Sequence, residues 1–105
     1  MNSKYNEFLS HYYVMCDEHK SPVYAEVVCN GFHALHEIQC IVFDEMTRTM
    51  CIDNVPYDDV FTFSDTPAIT VVFDELSDAR IHSGSHDIVI ENNDFSITFI
   101  FKECK

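Results

Sequence analysis

The stretch "FSITFIFK", residues 95–102, limits what this chain can fold into more than any other. Phe95, Ile97, Phe99 and Phe101 alternate with Ser96, Thr98, Ile100 and Lys102. Successive side chains of a β-strand point to opposite faces, so this pattern predicts one buried and one wetter face. The same reading extends upstream. In "VYAEVVC", Val23, Ala25, Val27 and Cys29 share a face, and "NG" at 30–31 follows. Asn and Gly both tolerate the positive φ of a type I′ turn, so a hairpin is expected there. The chain would return through "FHALHEIQCIVF", with His36, Ile38, Cys40 and Val42 facing one way and Ile41 and Phe43 making the other face apolar too. "DEMTRT" reads as a turn, and "MCIDNV", "VFTF", "AITVVF" and "HDIVI" as further strands. Their connections are too short for crossover helices, which makes the sheet mainly antiparallel.

The N-terminal segment has a different period. Tyr5, Phe8, Leu9, Tyr12 and Cys16 fall on one helical stripe, and Ser3 is placed to cap it. A strand over "HYYVMC" is the rival, because its residues are β-branched and aromatic. The reading is α+β: an N-terminal helix packed on a mainly antiparallel, meandering sheet of six or seven strands, in a single domain over 1–105.

Composition sets the outer bounds. A chain of 105 residues that is 47% hydrophobic, with nine Phe, folds around a core; disorder would need low hydrophobicity beside the high charge. The opening residues "MNSKYNEFLSHYYV" lack the basic start and apolar run of a secretory signal. No run approaches the roughly 18 apolar residues that cross a bilayer, so a cytoplasmic protein is expected. Cysteines at 16, 29, 40, 51 and 104 are odd in number and lack C-x-x-C spacing, which fits thiols in a reducing compartment. Eighteen acids against six bases give a net charge of −12. That balance disfavours direct nucleic-acid binding, which relies on Lys and Arg at phosphates, and a grip on anionic membranes.

Catalytic and metal chemistry finds little support. His33 and His36 would point to opposite faces of a strand, which spoils a shared metal. His82 and His86 flank "SGS" and would meet across a tight turn. Two ligands are too few for a closed zinc site, and a third would have to come from His11, His19, Cys16 or a carboxylate. The pairs Asp44 with Glu45, Asp58 with Asp59 and Asp74 with Glu75 sit in turn-like contexts where solvent keeps a carboxyl ordinary. No G-x-S-x-G elbow, calcium loop or glycine-rich phosphate cradle exists. No enzyme activity and no cofactor are expected.

Between Arg48 and Arg80 the chain carries Asp53, Asp58, Asp59, Asp65, Asp74, Glu75 and Asp78, without one Lys or Arg. These acids fall at strand ends and turns, where antiparallel folding would gather several on one rim. Tyr57 offers an amphipathic anchor of the kind enriched in interface cores. These eight residues are the expected contacts to a basic protein partner, such as the active site of a nuclease. A solubilising surface, with Asp marking turns, is the plain alternative.

Small size, high negative charge and the lack of a catalytic motif resemble the profile of bacterial immunity proteins for contact-dependent or other polymorphic toxins. The resemblance covers no motif and carries over no residue. It implies a protein that neutralises a nuclease-type toxin domain by covering its basic site. Two further readings stand beside it. One is a phage-encoded inhibitor that imitates nucleic acid and blocks a host defence complex. The other is a small enzyme or metal-dependent ligand binder using His82, His86 and carboxylates.

Overall fold

A computed structural model describes residues 3–53 and 69–104. One helix, α1 (Lys4–Asp17), precedes the strands β1 (Lys20–Cys29), β2 (Phe32–Glu37), β3 (Cys40–Asp44), β4 (Thr49–Asp53) and β5 (Ile69–Val72). A 3-10 turn (Phe73–Glu75) leads to β6 (Arg80–Ser83), β7 (Asp87–Glu91) and β8 (Phe95–Glu103). The described strands form two antiparallel sheets, ordered β2-β1-β8-β7-β6 and β3-β4-β5. The α+β class is as read from the sequence. The strands number eight among the described residues and divide between two sheets, where one sheet of six or seven was expected.

The helix starts where Ser3 Oγ accepts the Asn6 N–H at 3.1 Å, satisfying one of the donors a first turn leaves open. It ends as Glu18 N–H donates back to Val14 and Met15, and His19 turns left-handed at φ 60°. Tyr5, Phe8 and Leu9 are buried and Tyr12 partly so, as the stripe predicts. At the last turn Met15 is buried instead of Cys16, which is exposed. With 3.6 residues per turn, positions three and four after Tyr12 both lie within one residue of the stripe.

Strand β8 shows the alternation plainly: Ile97, Phe99 and Phe101 are buried and Phe95 partly so. Asn30 (φ 49°) and Gly31 (φ 80°) both take positive φ in the β1–β2 turn, as a type I′ hairpin requires. Pairing then aligns rows on the inner face of the larger sheet. Ile81, Ile90, Ile97, Val27 and Ala34 stand opposite one another in sequence across five strands. The adjacent row holds Ile88, Phe99 and Ala25.

The expected strand over 32–43 breaks after Glu37. Ile38 is buried, its N–H bonds to Val23 C=O at 2.9 Å, and the chain passes to the second sheet as β3. Apolar residues on both faces of that stretch are explained by the crossing, since each half buries a face in a different sheet. Within the smaller sheet, Met50 pairs with Phe43 and Val71, and Ile52 with Ile41 and Ile69. These residues face the core.

The helix fills the angle between the sheets. Phe8 lies 5.3 Å from Phe99 of the larger sheet and 5.5 Å from Phe73 beside the smaller one, ring centre to ring centre. Tyr12 likewise sits 5.2 Å from Phe43 and 5.9 Å from Phe101. Each fully buried Phe contributes about 2–3 kcal/mol by removal from water. Burial also pushes the Tyr12 phenol up to about 12, so it stays neutral in the packed interface. No helix among the described residues is long and apolar enough to cross a membrane.

Candidate acidic partner surface

Antiparallel order decides which acids meet. In β3-β4-β5 the partners Asp44, Thr49 and Val72 form one row at one end of the smaller sheet. The β3–β4 turn and the 3-10 turn after β5 therefore share that end. Asp44, Glu45, Asp74 and Glu75 come from these two turns, with Asp78 three residues further on. All five are exposed.

Arg48 sits among them. It takes φ 51° in the β3–β4 turn, and its C=O accepts the Phe73 N–H at 3.1 Å. Its guanidinium grips Asp74 at both oxygens, Nε to Oδ1 at 2.7 Å and Nη2 to Oδ2 at 2.6 Å. Such forked pairing is the strongest arrangement of a carboxylate with arginine. The Arg48 hydrogen bonds hold the Asp74 carboxyl below its ordinary value. Asp44 is occupied as well: Oδ1 accepts the Met46 and Thr47 N–H groups at 3.0 and 3.3 Å, closing an Asx-type turn. Glu75 and Asp78 make no ion pair among the described residues.

The backbone of Asp53 lies at the other end of β4, opposite Cys40. Four residues separate it from the Thr49 row, about 13 Å along a strand. Tyr57, Asp58, Asp59 and Asp65 lie outside the described residues. Of the eight expected contact residues, the structure places Asp74 and Glu75 together on the turn after β5, and Asp78 is exposed in the next turn of the chain. It adds Asp44 and Glu45, which sequence reasoning considered only for acid–base chemistry. The missed signal was topological: in an antiparallel meander, alternate turns share an end, and "DEMTRT" belongs with the segment after β5.

Tyr5 packs under this end, edge-on to Phe43 and Phe73 at 6.3 and 5.6 Å. It is 3% exposed, and its hydroxyl has no hydrogen-bond partner among the described residues. Burial, then the negative field of Glu45, raises its pKa, so it stays a neutral phenol.

The histidines find separate partners. His82 Nε2 is 3.2 Å from Glu91 Oε1, and His86 Nε2 is 3.8 Å from Glu103 Oε1. His33 Nε2 lies 3.1 Å from Glu26, and His11 Nδ1 contacts Ser83 Oγ at 2.9 Å. His82 belongs to β6, a strand not expected from the sequence, whereas His86 stands in the turn before β7. No three His, Cys, Asp or Glu side chains are gathered as metal ligands among the described residues. No disulfide joins Cys16, Cys29, Cys51 or Cys104.

No family model, curated protein or solved structure matches this chain.

Proposed function

We propose that this protein is an acidic inhibitor, of the immunity-protein kind, that covers a cationic site on a nuclease-type toxin domain and acts without catalysis. The observation that supports the reading is the placement of Glu45, Asp74 and Glu75 on two exposed turns at one end of the smaller sheet, with Arg48 gripping Asp74 and exposed Asp78 following along the chain. Arg48 cancels one charge of that group, and Glu75 and Asp78 remain to meet Lys or Arg of a partner. Carboxylates displayed on turns that the core holds in place raise the local concentration of a cationic protein and speed its docking. Tyr57, Asp58, Asp59, Asp65 and Asp53 belong to the same proposal as further contacts.

Affinity capture from the native host tests this reading. A tagged wild-type protein should retain a basic protein with nuclease activity and suppress that activity. A variant with Glu75→Lys and Asp78→Lys should retain markedly less. Retention of an acidic or neutral partner, equally by both forms, would refute the proposal.

A further inference from the structure

Among the described residues, an apolar strip of the larger sheet lies open beside the helix on the inner face. The helix seals the part around Phe99 and Phe101. Next to it, Val27 and Cys29 of β1 stand opposite Ile97 and Phe95 of β8. These four side chains line an open cavity of about 300 Å³, whose remaining wall is the β5 strand, Glu75 and Leu76. That volume lies at the lower end of the range for sites that receive a ligand group.

Three features specify the occupant. Glu75 is the lone charged residue in the wall, and it makes no ion pair among the described residues. Phe32 pairs across the hairpin with Cys29, so both lie on the same face of the sheet, yet Phe32 is 65% exposed. It extends the apolar surface outward from the floor. Strand β5 is an edge strand among the described residues, and edges of this kind receive extended chains.

We infer that the cavity takes an apolar side chain from a polypeptide partner whose neighbouring Lys or Arg pairs with Glu75. This inference rests on the acidic-surface reading and gives it an anchor point. Interfaces concentrate binding in a few side chains seated in dry pockets, and surrounding charges set orientation. Both elements stand side by side at Glu75.

The test uses the whole protein, with methyl NMR signals of Val27, Leu76 and Ile97 as the readout. The probes are the capped tripeptides Lys-Leu-Lys, Glu-Leu-Glu and Lys-Gly-Lys, with hexylammonium as a small-molecule control. Lys-Leu-Lys should shift these methyls saturably, and the other two peptides should bind far more weakly. Glu75→Gln should weaken Lys-Leu-Lys by about two- to five-fold, within the range of an exposed ion pair. Cys29→Phe, which fills the floor, should abolish the shifts; if that variant fails to fold, the Glu75 variant carries the test. Equal binding of all three peptides, no shift with any, or an unchanged affinity in Glu75→Gln would overturn the inference. Hexylammonium matching Lys-Leu-Lys would overturn the polypeptide occupant. Full-strength capture of the host partner by a folded Cys29→Phe variant would remove the cavity from the interface and leave the acidic surface standing.

Discussion

At the scale of single residues, two positions show how the chain spends conformational energy. His19 ends the helix at φ 60°, where a Cβ is disfavoured and glycine is not. Glycine there would relieve that strain but also loosen the unfolded chain, so His19→Gly should stabilise by up to about 1 kcal/mol, read as a higher Tm. Asp74 is the second. Its carboxyl is held below its ordinary value of 3.8 by Arg48, so the folded state binds that proton less readily than the unfolded state. The contribution is complete above that value and disappears as pH falls through the lower folded one. Asp74→Asn should therefore lower Tm near neutrality, with the gap to wild type narrowing as pH falls below the ordinary carboxylate value. A gap independent of pH would show that the Arg48 pair does not carry the effect. Neither residue was legible beforehand. A left-handed His leaves no sequence mark, and Arg48 stood just outside the base-free stretch that drew attention to Asp74.

The elements were legible where a period is long and clean. The alternation in β8, the Asn30–Gly31 turn and the Ser3-capped helix all follow from side-chain geometry acting locally. Two failures share one cause, namely that local pattern does not say which partner covers a face. The stretch 32–43 reads as one strand, because a strand that changes sheets keeps alternating. Strand β6 holds one buried residue, Ile81, and is recruited by pairing with β7, so "RIHS" has no period of its own to read. The two faces of β8 give the matching experiment. Phe99→Ala should cost about 3–5 kcal/mol, because the ring is fully buried against Phe8. Thr98→Ala, on the opposite face and part-exposed, should cost under about 1 kcal/mol. Comparable losses in urea unfolding would mean that the inner and outer faces are misassigned.

Across the whole molecule, charge and topology act together. A net charge of −12 draws cations from any direction. Topology then concentrates part of that charge: the β3–β4 turn and the turn after β5 face the same way because the smaller sheet is a meander. The sequence displayed the acids but not their grouping, since Asp53 and Asp74 look alike along the chain and lie at opposite ends of the smaller sheet. On the proposed function, the grouped carboxylates steer a cationic partner. Stopped-flow association of the captured host partner, measured from low to high salt, tests it most directly. Wild type should associate fastest at low salt and slow by about ten-fold or more as charges become screened. The Glu75→Lys, Asp78→Lys variant should be slower at low salt, converge with wild type at high salt and melt at nearly the same temperature. Rates that are identical for both proteins and flat across the salt series would contradict the account.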